Sequence, residues 1–271
     1  MRDAGARRVG MLVQAIGVAG LLVACGGDAE GASHPDGSPA DGSGARISGE
    51  VTVLAAASLT EPFETLGERL ADRYPDLEVT FSFGPSSGLA EQAAAGAPAD
   101  VLATANTVTM DTAVQAGVVD GTPRVFARNT LALAVPAGNP GNVTGPADLA
   151  RDELRVAVCE PRVPCGAAAE ALLDRAGVEA APDTLTTDVK EAVSLVSLGE
   201  VDAALVYLTD AAAAGDAVET VDVPRAGAVV NDYPVAVMAD APNPDGAHAV
   251  VDAVTGELGR DVLAEAGFLE P

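Results

Sequence analysis

From residue 51 onward, short β-rich apolar runs alternate with helical patterns, and this alternation constrains the fold more than any other feature. Residues 51–55 form the first run. Leu59, Phe63, Leu66 and Leu70 then recur at helical spacing, with Thr60 and Pro62 suited to a first turn. Residues 79–83 alternate as a strand, residues 84–88 (Gly-Pro-Ser-Ser-Gly) turn, and a helix is predicted through residues 92–95. The same reading gives strands at 100–104, 131–135, 154–158, 203–207 and 233–238. Helices are expected at 108–116, 167–176 and 188–198, and two amphipathic segments, 247–258 and 261–266, close the chain. Repeated β–α units predict an α/β fold with a parallel or mixed sheet covered by helices. No repeat of about 20–50 residues is present, which excludes a solenoid.

The first residues read as an address. Arg2, Arg7 and Arg8 precede an apolar run at 9–24 interrupted only by Gln14, short for a membrane span, which needs about 20 residues. The run ends Leu22-Val23-Ala24-Cys25-Gly26, which resembles a bacterial lipobox. Residues 1–24 are therefore expected to be a signal peptide and Cys25 a lipidation site. Residues 26–46 carry no large apolar side chain and cannot join a core, so residues 25–46 are expected to form a lipidated cysteine and flexible linker. His34 falls in that linker. The expected location is extracytoplasmic, tethered by lipid to the outer face of the cell membrane.

Charge removes whole classes of partner. The chain has 15 Lys plus Arg against 40 Asp plus Glu, a net −25. Loss of residues 1–24 takes three arginines and one aspartate, two net positive charges, and leaves −27. A nucleic-acid binder needs a basic face, so no nucleic-acid partner is expected. With 3% aromatics and no Trp there is little for base or sugar stacking. Two histidines, His34 and His248, neither beside a serine motif in sequence, leave a hydrolase without a base beside its nucleophile. The one lysine, Lys190, reads as a surface charge.

Beyond Cys25, the remaining cysteines are Cys159 and Cys165, separated by five residues. In an oxidising compartment such a pair can bridge; free buried thiols or a redox or metal role are the alternatives. The spacing is not CxxC, and no histidine is near for zinc.

Two segments between strand and helix are rich in hydroxyls: 56–60, holding Ser58, and 84–88, holding Ser86 and Ser87. Ligands of α/β sheets sit at such junctions, and a helix N-terminus offers unpaired N–H donors to an anion. A serine there has two uses, capping the helix or donating to a ligand, and the spacing leaves both open.

At this point the residues match a family. Residues 51–60 (VTVLAAASLT) resemble the opening strand and helix of the molybdate-binding proteins of ABC importers, and residues 81–89 (FSFGPSSGL) their second serine loop. GAPADV at 96–101, NTLAL at 129–133, VPCG at 163–166, Asp188-Val189, Val206-Tyr207 and YPVAV at 233–237 follow in the same order, so the likeness spans about residues 47–271. The resemblance implies a type II periplasmic binding protein. Two α/β lobes with mixed sheets, 47–128 plus 239–271 and 129–238, would be joined by crossing hinge strands. A single molybdate or tungstate would lie between them. It implies hydroxyl donors from Ser58, Ser86 (or its neighbour Ser87) and Tyr207, and backbone N–H donors from Cys165 and Val189. A Cys159–Cys165 bridge would stiffen the loop holding Cys165. It further implies a membrane permease partner, a monomer, no cofactor and no catalysis. Sulfate, phosphate or Fe3+ binding on the same fold, a secreted hydrolase using Ser58 or Ser86, and a surface adhesion lipoprotein are the competing readings.

Overall fold

A computed structural model describes residues 46–224 and 226–271. The expected signal peptide, Cys25 and nearly all of the expected linker, His34 included, lie outside the described residues. No helix among the described residues is long and apolar enough to cross a membrane.

Strand β1 (Gly49–Ala56) leads through a 3-10 turn at Ala57–Leu59 into helix α1 (Thr60–Arg73). Next come β2 (Leu77–Gly84), α2 (Ser86–Ala94), β3 (Val101–Ala103), α3 (Thr107–Gln115) and the long β4 (Val119–Pro136). A second group follows: β5 (Val156–Cys159), α4 (Pro164–Ala176), β6 (Thr184–Thr186), α5 (Val189–Ser197), β7 (Ala203–Tyr207), α6 (Leu208–Ala213) and β8 (Val218–Val221). Then β9 (Val230–Met238), α7 (Pro244–Thr255) and α8 (Glu257–Glu265) complete the chain.

The fold is α/β, with one mixed sheet in the order β2-β1-β3-β9-β4-β7-β5-β6, and β8 added to β4. Strands β1, β2 and β3 are mutually parallel, as are β5, β6 and β7. The two parallel groups are joined by the antiparallel pair β4 and β9, in which Asn129 faces Asn231 and Thr130 faces Val230. The N-terminal part of β4 runs beside β9, and its C-terminal part pairs with β7, Leu131 opposite Tyr207. One strand therefore carries the chain from the first sheet half to the second, and β9 carries it back.

Phe63, Leu66 and Leu70 of the stripe read from the sequence are buried on helix α1 with Pro62, and Leu59, its first member, is buried in the preceding 3-10 turn. Phe63 lies 5.8 Å from Phe81 and 5.9 Å from Phe126, centroid to centroid. Burying each such side chain contributes about 1.5–3 kcal/mol. The carboxylate of Asp100, in the GAPADV segment, is buried at 2% exposure and accepts from the backbone N–H groups of Thr52 and Asn243, each at 2.7 Å. It fastens the start of β1 to the turn before α7, where Asn243 caps the helix by accepting from Gly246 N–H at 3.0 Å.

Several elements differ from the sequence expectation. Strand β4 begins twelve residues before the apolar run at 131–135, because its first half (Val-Asp-Gly-Thr-Pro-Arg-Val) is mostly exposed and irregular, with register shifts between Asp120 and Arg124 and between Val125 and Ala127. Such a segment has no apolar alternation to read. Strands β6 and β8 and helix α6 were not expected; they span three, four and six residues, too few for a period. Helix α4 starts at Pro164, ahead of the predicted 167, since proline at the first turn lacks only an N–H that would be unpaired anyway.

Candidate functional site

The loops leaving β1, β2, β5 and β6 and the end of β7 meet at one narrow cleft where the two sheet halves adjoin. Ser58, Ser86, Cys165, Val189 and Tyr207 all line it. Ser87 does not; its hydroxyl is buried and has no hydrogen-bond partner among the described residues. No lining residue carries a positive charge, and the one acidic side chain, Asp188, is engaged at the start of α5.

Each donor is placed by local chain geometry. Neither serine caps its helix: no side-chain cap bond is made at the starts of α1 or α2. Ser58 sits inside the 3-10 turn, and its Oγ lies 3.0 Å from the Tyr233 hydroxyl. Ser86 is the first residue of α2, and its Oγ accepts from the Ala105 N–H at 3.0 Å. That bond occupies a lone pair and leaves the Ser86 proton free to donate. Tyr207 ends β7, and its oxygen accepts from Asn231 Nδ2 at 2.8 Å, with the same consequence for its own proton.

The backbone donors come from two helix starts. Pro164 opens α4 without an N–H, so Cys165 has the first available one, and no side-chain cap competes for it. In α5, Asp188 accepts from the Glu191 N–H at 3.0 Å, and that cap leaves the Val189 N–H unclaimed. Cys159 and Cys165 are joined by a disulfide with Cα atoms 5.8 Å apart, tying the end of β5 to the first turn of α4. Gly166 is required by close approach: a Cβ there would collide with the Glu160 carbonyl oxygen.

Behind the cleft, on the crossing strands, lies a buried polar layer that the sequence reading missed. Tyr233 is fully buried, and Asn231 donates from Nδ2 both to the Tyr207 hydroxyl and to the Ala105 carbonyl, the latter at 2.9 Å. Asn129, facing Asn231 across the pair, donates to Thr209 Oγ1 at 2.8 Å. The available signal was period two on β9, which puts Asn231, Tyr233 and Val235 on one face. Burial, then the neighbouring Tyr233, push the Tyr207 phenol well above the usual tyrosine value. Burial, then the Asp210 charge, do the same to Tyr233. Both phenols therefore keep their protons and act as neutral groups.

Lys190 corrects an expectation. It is not a free surface charge: its side chain is 27% exposed, and Nζ lies 2.7 and 2.6 Å from the two Glu61 oxygens and 3.0 Å from Asp210 Oδ1. Burial works against the Lys190 charge, but Asp210 and Glu61 outweigh it and hold its pKa above the usual lysine value. Asp210 has no exposed side-chain surface and accepts no well-aligned hydrogen bond among the described residues. Burial raises its pKa to about 6 against the pull of Lys190. The asymmetry is physical, since Lys190 has two carboxylates and Asp210 has one cation. His248 is exposed on α7, away from the cleft. No cluster of metal-binding side chains occurs among the described residues.

Two parallel-sheet halves bridged by crossing strands, with a donor-lined cleft where they meet, form the architecture of a periplasmic binding protein. Residues 51–269 match the family described as bacterial extracellular solute-binding protein, and the chain belongs to that family. The molybdate-binding protein ModA of Mycobacterium tuberculosis (strain ATCC 25618 / H37Rv) is 41% identical over 261 residues, covering 96% of this chain and 97% of its own. ModA of Escherichia coli (strain K12) is 31% identical over 233 residues, 81% of this chain and 89% of its own. Among solved structures, the periplasmic molybdate-binding protein of Azotobacter vinelandii has a TM-score of 0.69 at 21% identity, covering 82% of this chain and 99% of that one. The sulfate-binding protein SubI of M. tuberculosis H37Rv has a TM-score of 0.67 at 21% identity, covering 81% and 86%. The two structural likenesses concern the fold.

Proposed function

We propose that this chain is the extracytoplasmic substrate-binding component of an ABC importer and that it binds molybdate or tungstate. The ligand lies in the cleft, held by the hydroxyls of Ser58, Ser86 and Tyr207 and the N–H groups of Cys165 and Val189. The observation that carries this reading is the prevalence of donors in the cleft: Ser86 and Tyr207 oxygens already accepting, unclaimed helix-start N–H groups, no cation, and a single carboxylate, Asp188, that caps α5. A fully deprotonated oxyanion accepts every bond offered. A protonated phosphate would present a hydrogen without an acceptor. Each bond to a charged acceptor contributes about 1.5–3 kcal/mol, so five give strong binding even after the anion is desolvated. The 41% identity to proteins named for molybdate binding supports the same ligand.

The two lobes are 47–128 plus 239–271 and 129–238, hinged at β4 and β9, and they close on the anion before it passes to a membrane permease. The protein works as a monomer, without cofactor or catalysis. Residues 1–24 direct export, and a lipid on Cys25 holds the domain at the outer face of the cell membrane. A thermal-shift screen against molybdate, tungstate, sulfate, phosphate and Fe3+ tests the ligand. Stabilisation by molybdate and tungstate, with sulfate well behind, is expected. Stabilisation by sulfate or phosphate above both would overturn it.

A further inference from the structure

Glu61 and Lys190 stand 129 positions apart in sequence, yet they meet in the structure beside the two helix starts that frame the cleft. Glu61 is the second residue of α1, three positions after Ser58. Lys190 directly follows Val189 at the start of α5. Helix α1 covers the β2-β1-β3 half of the sheet, and α5 with α6 covers the half holding β7 and β5. The ion pair therefore links the two sheet halves beside the cleft, next to the residues that line it, and Asp210 on α6 holds the lysine from the second half.

We propose that Lys190 is a positioning residue for the anion site: by bridging Glu61 and Asp210 it holds the Ser58-bearing and Val189-bearing walls at the spacing at which both donors reach one anion. This rests on the reading of the cleft given above. A charge pair across a cleft exists only while the walls are together, and an anion seated between those walls needs the same arrangement. Pair and ligand must then favour each other. The charged and titratable groups facing Lys190 and Asp210 are Glu61 on α1, Asp188 before α5, Tyr207 at the end of β7 and Tyr233 on β9. The assembly contains one cation among carboxylates, so its work is mechanical; as a net field it repels an anion.

That conflict gives a test with opposite signs. Glu61→Gln removes a negative charge near the cleft. If Glu61 acts only through its field, molybdate binds more tightly to the variant. If the bridge positions the walls, it binds about three- to tenfold more weakly, through a faster dissociation rate. Titration calorimetry and stopped-flow measurement on the full chain, at about 50 and about 500 mM NaCl, read both. The wild type is expected to lose affinity at high salt towards the variant's value. Lys190→Arg should retain most of the affinity. Lys190→Met strands the Asp210 carboxylate and can fail to fold, so Glu61→Gln decides the matter. Equal or tighter binding by Glu61→Gln, or a loss confined to the association rate, overturns the proposal. Failure of the wild type to bind molybdate at all instead removes the reading of the cleft.

Discussion

Replacing Val189 by proline deletes a single backbone donor without touching the fold, a test that side-chain substitutions cannot supply. Val189 is the first residue of α5, where proline is favoured, because its fixed φ suits a helix start and its missing N–H has no helical partner. Proline also restricts the residue before it to extended backbone. Asp188 already has φ −151° and ψ 176°, so no strain follows. The Asp188 cap on Glu191 is unaffected. The cost to stability is confined to the loss of some buried valine surface, below about 1.5 kcal/mol for a near-isosteric change. The cost to binding is one hydrogen bond to a charged acceptor, about 1.5–3 kcal/mol, or about 10- to 150-fold in Kd. Calorimetric titration with molybdate, paired with urea unfolding of the unliganded protein, measures both. An affinity within about twofold of wild type, in a variant of unchanged stability, would show that the α5 start does not hold the anion.

Three further outcomes follow from the geometry. Ser86→Ala removes an O–H donor and strands the Ala105 N–H, so molybdate affinity should fall by about 1.5–3 kcal/mol and unliganded stability by about 1–3 kcal/mol; unchanged affinity by calorimetry would remove Ser86 from the site. Asp210 has its folded pKa raised to about 6, so its ionisation opposes folding above that pH and the penalty fades as pH falls through 6. Wild type should therefore gain about 2 kcal/mol on Asp210→Asn between about pH 7.5 and pH 4.5 in urea unfolding, and a flat difference would contradict the buried charge. Replacing both Cys159 and Cys165 by Ala should cost about 2 kcal/mol, the chain-entropy value for so short a loop, and wild type in reductant should match it; two titratable thiols in the unreduced, denatured domain lacking Cys25 would refute the bridge.

What could be read in the sequence was what repeats or caps. The Phe63, Leu66 and Leu70 stripe, the strand 203–207 and the glycine-rich serine loop each carry their signal within a few residues, and the structure places them accordingly. The first half of β4 carries no such signal, because Gly121, Pro123 and exposed charges break its alternation while pairing with β9 holds it extended. Its existence is dictated by a partner more than 100 residues away, which no local window contains. Lys190 fails for the same reason in a sharper form. In sequence it is a lone cation followed by Glu191, an ordinary solvated helix start; its two real partners come from α1 and α6.

The candidate site shows why donors are easier to foresee than the groups that aim them. Ser58, Ser86 and the helix-start N–H groups are announced by strand–loop–helix junctions, a local feature. The direction of each hydroxyl proton is decided elsewhere. Ala105 N–H occupies the Ser86 oxygen and Asn231 the Tyr207 oxygen, from a loop and from a crossing strand. In a globule whose expected exported form carries −27, long-range attraction cannot gather a dianion, so on the proposed reading these short-range alignments supply the affinity. On that reading the buried Asn231 amide of β9 belongs to the chemistry of the cleft as much as the serines do, although it lies behind it.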